Sequence, residues 1–192
     1  MKLMRSLLVP LPSALPRIHT LLSFAVAVSL LVLQLLLPTA ATATATEGNV
    51  VFLHNSSDLL QFSEMVNSGT TFNGTTVFMD ADIDLADEEG TDTFTPIGKG
   101  SDNCFLGTFD GQGYTISHLV INTTALRYVG LFGYTQGAAL KNVELDATCS
   151  ITNAGFNGTI NSYVGSFVGD CDSTLGPCSV ESSVNTANVT ST

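Results

Sequence analysis

From residue 75 onward, apolar and polar side chains exchange places every second position in short bursts, and small turn-forming residues separate the bursts. Thr75 to Leu85 opens as an apolar run and becomes strict alternation. Tyr114 to Ile121, Tyr128 to Gly133 and Ala139 to Leu145 follow, each bounded by Gly, Asn, Asp or Ser. A period of two predicts half-buried strands, and the separators predict tight corners. Upstream the rhythm differs. Val50 to Leu53 is β-prone, and after it Leu59, Phe62, Met65 and Val66 fall at helical spacing. Asn55, Ser56 and Ser57 offer N-caps, Asp58 suits the positive helix end, and Gly69 suits a left-handed terminus. The spacing therefore predicts one helix near 57–68.

The first forty-five residues obey neither pattern. Lys2, Arg5 and Arg17 precede an apolar run from Leu21 to Leu37, and Pro38 then leads into alternating Thr and Ala. Ala41/Ala43 and Ala43/Ala45 fit the small-x-small requirement of signal peptidase, so residues 1–45 read as a helical secretory signal peptide. The competing reading is an uncleaved anchor, because the run lies at the lower edge of the ~17–25 residues that span a bilayer. Residues 46–74 then hold the first strand and helix, and 75–192 the alternating region.

That region echoes itself. Tyr128-Val129-Gly130-Leu131-Phe132-Gly133 returns as Tyr163-Val164-Gly165-Ser166-Phe167-Val168-Gly169, 35 residues later. Leu140 and Cys149 are matched by Val180 and Val189 at a shift of 40, with the five extra residues assigned to the Cys171–Cys178 loop. Short strands repeating at this period are the signature of a solenoid, in which stacking covers an apolar face that one coil leaves bare. At about 20–30 residues per coil, 70–192 makes about four to six coils. The helix near 57–68 is expected to cap the N-terminal end. No comparable C-terminal cap is legible, so a truncated stack and a docking end are both expectations.

Phe94-Thr95-Pro96-Ile97-Gly98, Phe105 to Ser117, Val129 to Gly133 and Leu140-Lys141-Asn142-Val143 stand in an order that resembles GLUG-motif repeats. Gly130-Leu131-Phe132-Gly133 matches the tetrapeptide that names the family, and Asp82 to Leu85 resembles the strand leading into a first repeat. The resemblance covers about 75–190, and the copy at Gly165–Gly169 departs from the tetrapeptide. It implies an exported or cell-surface protein, a right-handed parallel β-helix, and a scaffold without a reaction.

Charge narrows the partners. All 17 acids lie at Glu47 or later, with only Lys99, Arg127 and Lys141 among them, so the chain beyond residue 45 carries −14. Such a body lacks the cations that bind nucleic acid through its phosphates. Five sequons, at Asn55, Asn73, Asn122, Asn157 and Asn188, fit export and glycosylation. All four cysteines follow the signal, where disulfides persist. Cys171 and Cys178 bracket a Gly/Pro loop and suit a local bridge; Cys104 and Cys149 either pair or sit buried as small apolar groups.

Candidate chemistry is sparse. Asp80, Asp82 and Asp84 at i, i+2 and i+4 of one strand would share a face and could hold Ca²⁺. The alternative is a solvated face with Ala81, Ile83 and Leu85 pointing inward. Asp110-Gly111 between strands reads as a tight turn rather than an anion loop. Asp84 and Asp110 would supply a glycosidase pair only if folding joined them, and His54 and His118 lack a triad partner. No catalytic residue, cofactor or metal is therefore assigned. Tyr128, Tyr163, Phe109 and Phe132 read as stacked core ladders rather than as a glycan platform. The sequence thus predicts a secreted or cell-surface, non-catalytic module that binds a protein or glycan partner, and meets a membrane only if the N-terminus stays uncleaved. A β-helical polysaccharide lyase or hydrolase, and a fragment of a longer surface array, are the alternatives. N-terminal sequencing of the exported chain should find a first residue near Thr44 or Thr46; a chain that retains Leu21–Leu37 would establish the anchor instead.

Overall fold

Why so many short strands persist is explained by how the chain returns to the same sheets. The computed structural model describes residues 49–86, 93–154 and 161–192; the signal-like segment, Asn157 and the acids at 87–89 and 92 lie outside them. The described part begins with β1 (Val50–Leu53), α1 (Ser56–Asn67), β2 (Thr76–Met79) and β3 (Ile83–Asp84). A second pass holds β4 (Thr108–Asp110), β5 (Thr115–Ser117), β6 (Val120–Thr123), β7 (Tyr128–Val129) and β8 (Phe132–Gln136). The third adds β9 (Ala139–Lys141), β10 (Glu144–Leu145), β11 (Ser150–Asn153), β12 (Tyr163–Val164) and β13 (Val168–Asp172). Then follow β14 (Ser179–Glu181), β15 (Val184–Asn185) and β16 (Asn188–Ser191).

Consecutive strands do not pair with each other; each pairs with its counterpart one pass away. The sheets run β1-β2-β4-β9-β14, β15-β10-β5-β3, β16-β11-β6, β12-β7 and β13-β8. Every pairing between these strands is parallel. The protein is therefore mostly β, built of separate parallel sheets, with one helix among the described residues. Parallel pairing needs a long crossover, and here the other sheets supply it.

Register turns the alternation into packing. Val77, Phe109, Leu140 and Val180 are aligned across one sheet, and Ile121, Ile151 and Val189 across another. All but the last member of each column are buried in a single core. The echo seen in sequence is a true register at Tyr128↔Tyr163 and Val129↔Val164. The shift grows from 36 at Gln136↔Asp172 to 40 at Ala139↔Ser179, so the Cys171–Cys178 loop inserts four residues there, not five. Val189 pairs with Ile151 rather than Cys149. The corner Asp146–Cys149 is longer than the Thr186–Ala187 corner, and Cys149 belongs to that corner, where its N–H donates to Asp146 O at 3.2 Å.

Several runs that read as single strands are broken by corners. Thr75 to Leu85 divides at Asp80–Asp82, so β2 and β3 lie in different sheets. Tyr114 to Ile121 breaks at His118, which adopts φ 54°. Ala139 to Leu145 breaks at Asn142 (φ 54°) and Val143. Tyr128 to Gly133 breaks at Gly130-Leu131 between β7 and β8. A Cβ on Gly130 would lie 2.9 Å from Gly165 O, which is why the corner holds glycine where two passes meet.

α1 closes the first pass. Asn55 caps it, its Oδ1 accepting from Asp58 N at 3.0 Å. Leu59, Phe62, Ser63 and Val66 are buried, and Met65 points out. Ser63 occupies the i+4 place on the buried stripe, and its hydroxyl donates to Thr95 O at 2.9 Å. The Phe62 ring meets Phe72, Phe105, Phe109 and Phe132 with centroids 4.9 to 6.3 Å apart. β1 pairs with β2, so residues on both sides of position 75 share one sheet and one core. Phe62→Ala should cost about 3–5 kcal/mol through the cavity it leaves. Urea unfolding should show a lower midpoint with an unchanged slope, whereas an unshifted midpoint would deny the helix its anchoring role.

Candidate functional site

Four of the seventeen acids serve the corners. Asp84, Asp110, Asp146 and Asp172 each accept, through Oδ1, the backbone N–H two residues on, from Ala86, Gln112, Thr148 and Thr174 at 2.9 to 3.0 Å. This is the Asx turn, in which a short carboxylate or amide mimics a backbone carbonyl. Asn185 repeats it toward Ala187 N at 3.2 Å. Each acceptor stands at the end of its strand or just after it, so the motif marks where the chain bends into the next sheet.

The three carboxylates that one strand would have aligned are dispersed by that bend. Asp80 lies 3.1 Å from His54 Nδ1. Asp82 accepts from Thr115 N at 2.8 Å. Asp84 caps Ala86 and lies 2.7 Å from His118 Nδ1. Among the described residues no group of three His, Cys, Asp or Glu side chains converges as a cation site. The solvated-face alternative fits two of its three inward residues, since Ile83 and Leu85 are buried and Ala81 only half so. His118 is exposed, because the left-handed corner turns it away from the buried Ile116 and Leu119 on either side.

Asp110 is the most enclosed of these acids. Its Oδ1 accepts from Asn142 Nδ2 at 2.9 Å, and Lys141 Nζ lies 3.3 Å from Oδ2. With Gln112, Gly113, Asn142 and Ser182 it lines a shallow open depression. Gln112, Asn142 and Ser182, at the same corner in successive passes, all have φ near 50°. Burial alone would push the Asp110 carboxyl up, but the bonds from Asn142 and Gln112 and the Lys141 ammonium outweigh it and hold it low. Asp84 is lowered by the Ala86 N–H and then His118, Asp146 by the Thr148 hydroxyl, and Asp172 by the Thr174 N–H.

Cys171 and Cys178 form a disulfide with Cα atoms 6.4 Å apart. Cys104 and Cys149 are free and buried. Burial raises both thiols, that of Cys149 to about 11. Of the sequons, Asn55, Asn73, Asn122 and Asn188 are exposed. The alternation did not reveal one cluster: Arg127 Cζ lies 5.0 Å from the Tyr128 ring centroid and 5.4 Å from that of Tyr163. Those tyrosines stack at 5.7 Å. Their register at the 35-residue echo was the available signal. They are partly exposed, while Phe109 and Phe132 are fully buried. Tyr134 donates to Asp172 Oδ2 at 3.2 Å, and burial, then Asp172, pushes its hydroxyl up to about 12.

Fold and corners together define a parallel-β protein whose polar residues hold turns. No family model matches the chain, and no solved structure matches it. Over 135 residues, 67% of the chain, it is 30% identical to halomucin of Haloquadratum walsbyi, and the match covers 1% of that protein. Among the described residues no helix is long and apolar enough to cross a membrane.

The lowered carboxylates make stability depend on acid. Their folded values lie below the ~3.9 of a free Asp, so their contribution is complete at neutral pH and is lost as pH falls through the lower folded values. Melting temperature should hold level above about pH 5 and fall below about pH 4. Asp110→Asn should melt lower at pH 7 and lose less on acidification. Parallel acid profiles for parent and variant would refute this role.

Proposed function

We propose that the chain is an exported, extracellular module of the GLUG-repeat kind, wound as a right-handed parallel β-helix and acting as a non-catalytic binding or structural element at a cell surface. The observation that carries this reading is the in-register recurrence of apolar columns across passes, with the polar residues spent on the corners between them. A solenoid uses its sequence in this way, since each turn needs the same bend and the same inward side chain. His54 faces Asp80 and His118 faces Asp84, while Asp110 is held by Lys141 and Asn142.

The disulfide and four exposed sequon asparagines support export. The likeness to a small part of the far longer halomucin supports a module carried within a longer protein. A charge of −14 beyond residue 45 favours neutral or cationic partners over nucleic acid and anionic polysaccharide. The purified chain, incubated with neutral and acidic polysaccharides, should release neither reducing nor unsaturated ends. It should retain a neutral glycan or a basic protein ligand, more weakly as salt rises in the basic case. Catalytic release of sugar ends would overturn the reading in favour of a β-helical lyase or hydrolase.

A further inference from the structure

The sheet β16-β11-β6 differs from the larger sheets in its chemistry. Its strands, Val120–Thr123, Ser150–Asn153 and Asn188–Ser191, hold no charged residue. The sheet β1-β2-β4-β9-β14, by contrast, carries Asp110, Lys141 and Glu181. Register sorts the uncharged side chains by face. Ile121, Ile151 and Val189 form the inward column, and the alternate positions turn outward in two rows. One row is Val120, Ser150 and Asn188; the other is Asn122, Thr152 and Thr190. Two sequon asparagines, Asn122 and Asn188, therefore stand at diagonally opposite corners of one face, and both are exposed. Two strand spacings and a two-residue step place them about 12 Å apart. Their outward direction comes from the pleat and not from their position at a sheet edge. The other described sequons lie elsewhere: Asn55 caps α1, and Asn73 precedes β2.

We propose that this is a glycan-bearing face, on which Asn122 and Asn188 both carry N-linked oligosaccharides that together cover it and close it to protein contact. The inference rests on the export reading above. Each sequon is complete, as Asn122-Thr123-Thr124 and Asn188-Val189-Thr190. In the transfer, the side-chain amide nitrogen bonds to the anomeric carbon of an oligosaccharide carried on a lipid phosphate. The sugar–phosphate bond breaks, the lipid phosphate leaves with the electron pair, and the amide proton is released. The fold tolerates the product at both positions. The bond is made on an outward side chain, so the parallel ladder keeps its backbone partners. The hydroxyls of Ser150, Thr152 and Thr190 share the face with the two attachment points and can bond to sugar hydroxyls. No ion has to lose its water when the sugars settle there, and the exposed Val120 offers them an apolar contact. A bulky, solubilising group at each corner fits a surface that holds no charge in a chain this acidic.

The full chain, collected from the medium of a eukaryotic host that N-glycosylates, should yield glycopeptides at both Asn122 and Asn188 in mass spectrometry. Asn122→Gln combined with Asn188→Gln should remove both glycans and leave circular dichroism unchanged. Coverage is read with Val120→Cys, which should react with a bulky maleimide several-fold faster when both glycans are absent. Cys104 and Cys149 are buried and set the unreactive background. Enzymatic removal of the glycans from the folded Val120→Cys chain gives the same reading if the glutamine variants are not secreted. A secreted chain left unmodified at either asparagine, or equal labelling with and without glycans, would overturn the inference and leave export standing. A chain kept in the cytosol would overturn the export reading and this inference with it.

Discussion

A strand of two to five residues cannot hold its conformation alone, and no strand among the described residues is longer. What holds each strand is the parallel ladder to the equivalent strand one pass away. That ladder satisfies the backbone and covers the apolar side chain beside it in the same step. The rest of the structure follows from it. To keep register, the chain must bend at matched places on every pass, and so the residues that bend it recur. Gln112, Asn142 and Ser182 take the left-handed conformation at one corner. Gly130 stands where a side chain would strike the next pass. Neither feature would be required of an isolated strand.

Part of the acidity has the same origin. Read as composition, seventeen acids suggest a surface or a cation site. In the structure, Asp84, Asp110, Asp146 and Asp172 each stand in for a carbonyl at a bend. An aspartate is short enough to reach the N–H two residues on and stays an acceptor across the physiological range. A carboxylate so engaged offers fewer lone pairs to a metal or substrate. This explains why a sequence rich in candidate ligands yields a set of turns, and why those groups titrate low.

Much of this was legible before any coordinate. Alternation identified the β content, and the spacing of Leu59, Phe62 and Val66 identified the helix and its cap at Asn55. The echo at Tyr128 and Tyr163 gave a true register. Strand lengths were not legible, because a corner need not interrupt apolar residues; it only changes their spacing. Ile116, Leu119 and Ile121 are all buried, and the step from two to three at His118 is the single mark of the bend. Met79 and Ile83 are four apart, an even step that keeps the alternation in phase through Ala81, so the corner at Asp80–Asp82 leaves no such mark. Taking the acids there as one face of one strand follows from that unbroken phase. Likewise Cys149 was aligned with Val189 because corner lengths differ between passes, which a count of residues cannot detect.

Comparison of equivalent positions shows how little of a residue's burial belongs to the residue. Leu140 and Val180 share a column, as do Ile151 and Val189, and the members differ by a methylene at most. One of each pair is sealed and the other is open. The difference is the presence of a neighbour on the outer side. At the first end that neighbour is a helix, which suits the place because its backbone is satisfied internally while Phe62 fills the gap among four other rings. Leu59, Phe62 and Val66 of that helix cover core side chains, while β1 itself is the outermost strand of its sheet. Among the described residues the last pass has no such cover, so Val180 and Val189 differ from Leu140 and Ile151 by their surroundings and not by their chemistry.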